Sequence, residues 1–236
     1  MSDLIELENG ALVLPTNADP AGAGHRRVGW RRFAVGLDVG GRGDDPSALC
    51  IIKSESRPFL TGRGWEQALT QPQYSVVFTE TMRCAEATDV VEWVVGRLGQ
   101  LKNWRFMFDA SGLGAPLRSM FAAAKVQALG VTITAGSSFN RNGDAATVSK
   151  ALLFENAATK FETGELIIAH DLPERQELLN EIQSVEYAQS SAGNLTLKAG
   201  GRGHHADRFS ALCLALIGET HLAPQRMEVS KLRGYW

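Results

Sequence analysis

The sequence predicts a single α/β domain, in which helices pack on the faces of a mixed β-sheet. Two observations lead to this fold class. Three short apolar segments follow one another and are typical of an antiparallel meander, at 32–39, 48–54 and 75–82. After them, helical and extended patterns alternate, with helices predicted over 88–101 and 115–129 and strands over 104–110 and 131–135.

The spacing of apolar residues supports the two helices. The first has one apolar face, formed by Val90, Val91, Val94, Val95 and Leu98. The second begins at Pro116, a residue that the first turn of a helix tolerates because its missing N–H would have no partner there. Between them, WRFMFDA reads as a buried strand that ends in Asp109.

The last third of the chain continues the alternation. Helices are predicted over 147–164, closed by Gly164, and over 173–185, with Pro173 in the first turn. A short strand is predicted over 165–169. The segments VEYAQ and LTLKA, separated by SSAGN, indicate a hairpin. The final helix is predicted within HHADRFSALCLAL, which spans 204–216.

The chain divides into three parts by pattern. Residues 1–31 contain the stretch PTNADPAGAG, so we expect an N-terminal linker or extension there. Residues 32–220 form the folded domain, and residues 221–236 are expected to be a C-terminal tail.

Composition narrows the class of protein. The chain has 236 residues, of which 44% are hydrophobic, so a substantial core can be buried. A net charge of −2 is not the strongly basic balance of many nucleic-acid-binding proteins, so such a site would need local charge. The cysteines are scattered, which argues against a disulfide framework or a zinc site. We find no apolar membrane span and no signal peptide, and the chain looks cytoplasmic.

Three aspartates occupy places where a fold of this kind builds its site. Asp38 closes the first predicted strand and Asp109 closes the fourth, so both project from one edge if these strands are neighbours. Asp207 lies at the mouth of the last helix. Each also has an ordinary explanation, since Asp38 suits a turn and the other two suit helix caps.

Together, the three carboxylates indicate a metal site. Gathered carboxylates repel one another and raise their pKa values, unless cations neutralise them. Hard oxygen ligands suit Mg²⁺ or Mn²⁺, and two such ions can clamp the attacking and leaving oxygens of a phosphodiester. Asp44 and Asp45 are further candidate ligands, and a solvated turn before Pro46 is the alternative for them.

Basic residues are expected to surround this acidic centre. Glycine-rich basic stretches recur at 40–43, 62–64 and 200–203, and glycine lets the backbone approach a phosphate. The candidate DNA contacts are Arg42, Arg141, Lys198, Arg202 and Arg208. His204 and His205 could transfer a proton or contact a phosphate. An exposed cation or a loop histidine is the alternative for each.

Three motifs, in order, resemble the nuclease domain of the large terminase subunit of tailed bacteriophages. They are AVGLDVGGRGDDPSALCII, RFMFDASGLGAPL and HHADRFSALCLAL, and the resemblance covers roughly residues 32–218. Asp38 with Asp44 or Asp45 matches the first motif. Asp109, Gly112 and Gly114 match the second, D-x-x-G-x-G. The third is usually H-D-D followed by D-A, and this chain departs from it at Ala206 and Ser210.

The resemblance implies a ribonuclease H-like fold and a metal-dependent endonuclease that cuts double-stranded viral DNA during genome packaging. It implies Asp38, Asp109 and Asp207 as catalytic metal ligands and two divalent cations, Mg²⁺ or Mn²⁺, as cofactors. It also implies the ATPase motor domain, the small terminase subunit and the portal as partners, no membrane partner, and the cytoplasm of the infected bacterial host as the location. No G-x-x-x-x-G-K-[ST] phosphate loop is present, so ATP hydrolysis is not predicted and the chain is expected to be an isolated domain or a split-gene product.

Other functions remain open at this point. A Holliday-junction-type resolvase of the same fold would use the same acids on branched DNA. The LDVGG stretch also resembles a phosphate loop of sugar kinases and actin-like ATPases, although no second loop is found. A non-catalytic DNA-binding remnant is suggested by Ala206, which stands where the family has an acid.

Overall fold

The computed structural model describes residues 4–15, 27–41, 45–62, 66–135, 139–189, 195–199 and 206–221. Five α-helices lie within these ranges: α1 Ala87–Leu98, α2 Leu117–Ala123, α3 Lys150–Glu162, α4 Arg175–Ser184 and α5 Asp207–Thr220. The strands are β1 Ile5–Glu6, β2 Ala11–Val13, β3 Gly29–Asp38, β4 Ser47–Ser56, β5 Pro58–Leu60, β6 Gln67–Leu69, β7 Gln73–Met82, β8 Trp104–Asp109, β9 Ala128–Thr134, β10 Phe139–Asn142, β11 Ala145–Ser149, β12 Leu166–Ile168, β13 Val185–Gln189 and β14 Leu195–Ala199.

A mixed sheet forms the centre of the fold, as predicted. Its main strands follow the order β10-β11-β9-β8-β3-β4-β7-β12, and β2 also pairs with β3. The predicted meander is confirmed, because β3 pairs antiparallel with β4 and β4 pairs antiparallel with β7. On the other side, β3 is parallel to β8, which makes the first and fourth predicted strands direct neighbours.

Helices cover both faces of the sheet. One hydrophobic cluster joins α3, α4 and α5 to one face, with side chains such as Phe154, Leu178 and Leu212. A second cluster joins α1 and α2 to the opposite face, where Phe106, Phe108 and Phe121 pack as an aromatic group. In α5 every residue from Ala211 to Glu219 is buried, as expected for a helix that is apolar on all sides.

The packing of α5 on β3 depends on a glycine. A Cβ atom built on Gly36 would lie 2.0 Å from the backbone oxygen of Ala211 and 2.6 Å from the backbone nitrogen of Ala215. Only glycine therefore lets the two backbones approach this closely. Further along, Arg32 of β3 forms an ion pair with the buried Glu219 of α5, so the helix runs antiparallel to the strand.

The structure corrects two helix boundaries. The helix predicted over 115–129 is shorter, because α2 ends at Ala123 and β9 begins at Ala128. Lys125 adopts a left-handed conformation with φ of 58°, which stops the helix, and β9 then pairs with β8. The helix predicted from 147 begins at Lys150, because residues 145–149 form β11 beside β9 and the Ser149 side chain caps α3.

The strand pairs β1–β2, β5–β6 and β10–β11 were not predicted. The first lies in the segment expected to be a linker, where Leu12 is buried and β2 pairs with β3. The hairpin predicted from VEYAQ and LTLKA is confirmed as β13–β14. The division at 31/32 and 220/221 stays a prediction, and most of the expected tail lies outside the described residues.

Among the described helices, none has the length and apolar character needed to cross a membrane.

Replacing Gly36 by alanine should lower the free energy of unfolding by at least about 1–3 kcal/mol, because the new methyl group forces α5 away from β3. Urea unfolding measures this loss. Gly96→Ala is the matched control: Gly96 lies inside α1 with open space around it, so alanine should stabilise the protein by about 0.5–1 kcal/mol. Equal stability of Gly36→Ala and the native protein would contradict the close contact.

Candidate metal centre

Two carboxylates meet at one end of the sheet. The parallel register pairs Leu37 of β3 with Phe108 of β8, so Asp38 and Asp109 follow at the same edge. Both are half-buried and both terminate their strands. The sheet therefore produces the first part of the predicted cluster from residues that are far apart in the sequence.

The third carboxylate comes from the first residue of α5. Asp207 begins the helix, and the charge of Asp207 acts directly on Asp38. The Ser210 side chain, one turn further along, forms a hydrogen bond with the Asp38 carboxyl group. Ser210 stands where the motif that this segment resembles has the aspartate of D-A, so this chain has a hydroxyl group next to Asp38.

The three charges make Asp38 an unusual acid. Burial, first of all, and the negative charges of Asp207 and Asp109 together raise the pKa of Asp38 to about 8. The hydrogen bond from Ser210 opposes this rise, and the charge of Asp45 adds to it. Asp38 is therefore a carboxyl group that neutral pH alone does not keep ionised.

Local hydrogen bonds hold the neighbouring acids. The Asp109 Oδ1 atom accepts from the Ser111 backbone N–H at 2.8 Å. Next to it, a Cβ on Gly114 would lie 1.8 Å from the Asp109 backbone oxygen, which explains the glycine at the end of D-x-x-G-x-G. The Asp45 Oδ2 atom accepts from the Gly41 backbone N–H at 3.0 Å.

The donor chemistry of the site fits a divalent cation. Carboxylate oxygens are the ligands that Mg²⁺ and Mn²⁺ prefer, and a bound cation would lower the pKa of Asp38 into the usual range of an aspartate. Asp38, Asp109 and Asp207 are the residues that could hold it, with Asp45 at the rim. Within the residues that the structure describes, no three acidic, histidine or cysteine side chains are already arranged as a metal-binding group.

Glu181 of α4 anchors the helix end that carries Asp207. The N-cap of α5 is Ala206, whose side chain offers no hydrogen bond. The Glu181 Oε2 atom instead accepts from the Phe209 backbone N–H at 3.0 Å, and its Oε1 atom accepts from Arg208 at 2.7 Å. Glu181 thus caps α5 from a neighbouring helix, and its negative charge interacts favourably with the positive end of the helix dipole.

Arg208 forms ion pairs with two glutamates of the chain. Its Nε atom donates to Glu174 at 2.7 Å, in addition to the contact with Glu181. The guanidinium group is largely buried, and its two ion pairs connect the start of α5 to α4 and to the residue before it. The predicted DNA contact of Arg208 is not tested by the geometry and stays a prediction.

The other predicted site residues either lie away from the three aspartates or fall outside the described residues. Arg141 lies on β10, and its Nε atom donates to the backbone oxygen of Gly143 at 3.4 Å. The backbone of Lys198 lies in β14, and its side chain is not described. The remaining predicted residues are outside the described ranges: Arg42, Asp44, Arg202, His204 and His205.

Two residues of the site were not found from the sequence. Nothing in the sequence connects Glu181 with Phe209, because the two belong to different helices and come together only by tertiary packing. Ser210 was noted only as a departure from the D-A motif, and its contact with Asp38 gives that departure a structural role.

Asp38→Asn should stabilise the metal-free protein at pH 8. The unfolded aspartate has a pKa near 3.9, and the folded one has a pKa of about 8. Between these values the folded state binds a proton that the unfolded state has lost, so Asp38 reduces stability progressively as pH rises from about 4 to 8. Asparagine removes this cost, and the melting temperature in chelator should rise by at least about 2–4 °C at pH 8.

The rise should shrink as the pH falls and become small below about pH 3, where the carboxyl group is mostly protonated in both states. Asp171→Asn is the control, because Asp171 lies exposed in a turn and should leave the melting temperature unchanged. A lower melting temperature for Asp38→Asn at pH 8 would show that the Asp38 carboxylate does not destabilise the folded state.

Glu181→Ala should lower the free energy of unfolding by roughly 1–3 kcal/mol, because it leaves the Phe209 N–H and one side of Arg208 without an acceptor. Glu181→Gln keeps an oxygen for the Phe209 N–H and should lose less. Urea unfolding compares the two variants, and an equal loss in both would contradict the capping role.

No protein-family model matches the chain, and no curated protein matches it. Several solved structures do match the chain. The large terminase nuclease from thermophilic phage G20c with bound magnesium superposes with a TM-score of 0.55 at 19% identity, covering 88% of this chain and 86% of that one. The large terminase nuclease domain of Thermus phage P74-26 gives a TM-score of 0.53 at 18% identity, covering 80% of each chain.

A third structure is the nuclease domain of the large terminase subunit gp2 of bacterial virus Sf6, with manganese and beta-thujaplicinol. It gives a TM-score of 0.53 at 13% identity and covers 78% of this chain and 87% of that one. Sequence identities this low support a comparison of the fold alone. At the level of the fold, the predicted resemblance is confirmed. The chain therefore has the ribonuclease H-like fold of the large terminase nuclease domains.

Proposed function

We propose that this protein is a metal-dependent endonuclease that cleaves double-stranded DNA during the packaging of a bacteriophage genome. The observation that carries the proposal is the convergence of Asp38, Asp109 and Asp207 at one end of a ribonuclease H-like sheet. The solved structures of the same fold are named as terminase nucleases, and some of them hold magnesium or manganese.

The proposed chemistry is hydrolysis of a phosphodiester with two divalent cations, Mg²⁺ or Mn²⁺. When bound, such ions lower the pKa of an attacking water and neutralise the departing oxygen. Asp38, Asp109 and Asp207 would hold them, and Asp44 and Asp45 would complete the ligand set. Ser210 would orient the Asp38 carboxylate through its hydrogen bond, and Glu181 would fix the position of Asp207.

Substrate binding is proposed to rely on the DNA backbone. Arg42, Lys198 and Arg202 would contact phosphates near the acids, and His204 or His205 would contact a phosphate or transfer a proton. Such contacts carry no sequence information and weaken strongly with salt. Arg208 already pairs with two glutamates, so we expect its contribution to DNA binding to be smaller.

The setting follows from the same proposal. The nuclease would act in the cytoplasm of the infected bacterial host, on DNA delivered by a terminase motor. The ATPase motor domain, the small terminase subunit and the portal are the proposed partners.

The proposal predicts that the chain nicks supercoiled plasmid with Mn²⁺ or Mg²⁺ and that chelator stops the reaction. Asp38→Asn, Asp109→Asn and Asp207→Asn should each lower the nicking rate at least about 100-fold, because each removes a carboxylate from the cation site. Gel quantification of nicked and linear plasmid gives the rates.

The control is again Asp171→Asn, which removes the same charge from an exposed turn and should cut at the native rate. Folded Asp207→Asn protein that retains native activity would exclude the site. A native chain that neither binds Mn²⁺ nor nicks plasmid would overturn the nuclease proposal.

A further inference from the structure

A wide cleft lies at the opposite end of the sheet from the aspartates. It encloses about 900 Å³ and is bounded by the start of β8, the turn after α2 and the β10–β11 turn. Arg105, at its wall, precedes Asp109 on the same strand by four residues, which places the cleft roughly 13 Å below the acidic end. The volume is within the usual range of about 300–1,000 Å³ for small-molecule sites.

The cleft is rich in cations. Its basic lining residues are Arg105, Arg118, Lys125 and Arg141, and the acid among its lining residues is the exposed Asp144. Glu219 lies 3.7 Å from Arg105 and neutralises part of that charge. Because the whole chain carries a net charge of −2, this local excess of positive charge is a property of the cleft and not of the protein.

Arg118 is the most informative of these cations. It is half-buried on α2, and its guanidinium group lies against Gly130, whose Cβ would fall 2.6 Å from the Arg118 Nη2 atom. Within the described part of the chain, no hydrogen bond or ion pair engages it. A half-buried guanidinium without an anionic partner is the kind of group that binds a phosphate.

The rest of the lining suits a nucleobase. Trp104 is half-buried and lines the cleft together with the apolar residues Val126 and Ala128. Aromatic rings stack on any base, and the amides of Asn103 and Gln127 in the same lining offer both donors and acceptors. Cations and an aromatic surface in one cleft match the two halves of a nucleotide.

We infer that this cleft binds a nucleotide, with its phosphates on Arg118, Lys125 and Arg141 and its base against Trp104. The nucleotide is either a free nucleoside phosphate or one unit of a DNA strand, since both present the same phosphate and base. The site is separate from the proposed metal centre and needs no divalent cation. It also accounts for the position of Arg141, which lies in this cleft and not beside the acids.

The test is the binding of fluorescently labelled dATP to the whole chain in chelator, followed by anisotropy. Saturable binding is expected, and Arg118→Gln should weaken it about tenfold by removing a charge-assisted contact. Lys125→Asn is a second variant, since asparagine tolerates the left-handed backbone at this position, and it should weaken binding in the same direction.

Arg83→Gln is the matched control, because Arg83 is exposed after β7 at the acidic end of the sheet and should leave dATP binding unchanged. Binding that is not saturable, or that Arg118→Gln and Lys125→Asn leave unchanged, overturns the inference. Because the assay contains chelator, its result does not depend on whether the chain cuts DNA.

Competition separates the sources of the nucleotide. Unlabelled dATP should displace the probe at lower concentration than inorganic phosphate, because phosphate lacks the base. A short single-stranded oligonucleotide that competes better than dATP, per mole of nucleotide, assigns the cleft to a DNA strand, and the reverse order assigns it to a free nucleotide. Displacement by poly-glutamate as readily as by dATP would reduce the cleft to a general anion surface and overturn the inference.

Discussion

The packing of α5 against β3 is the contact on which the rest of the structure depends. Gly36 brings the two backbones into direct contact, and the antiparallel course of the helix then places Asp207 at the end of β3 where Asp38 lies. A side chain at position 36 would separate the helix from the strand, and the third carboxylate would move away with it. The core and the candidate metal centre therefore share one geometric requirement.

Repulsion within the carboxylate cluster disfavours the folded state. Contacts at both ends of α5 hold the helix in place despite this repulsion. At its start, Glu181 accepts from the Phe209 N–H and pairs with Arg208. At its far end, the buried Glu219 pairs with Arg32. Between these contacts the helix is buried on every side, so its burial free energy can offset the repulsion near Asp38. A fold that stores unfavourable charge in this way is typical of a functional site.

The sheet has two ends of different chemistry. At the carboxyl ends of β3 and β8 lie the acids, whose oxygen atoms suit divalent cations. At the amino end of β8 lies a cleft with excess positive charge, at which Arg118 has no anionic partner within the described residues. One rigid sheet fixes the distance between the two regions, so a ligand at either end meets a surface that is already formed.

The sequence by itself determined the fold class and the central meander, and it predicted the three aspartates as a candidate site, because strand ends and apolar periodicity are local properties of the chain. It did not determine where α2 stops, since the left-handed turn at Lys125 and the pairing of β9 with β8 override helix propensity. Only the tertiary structure decided that Glu181 caps α5 and that Ser210 contacts Asp38. Those contacts join separate elements, and no spacing within either element records its partner.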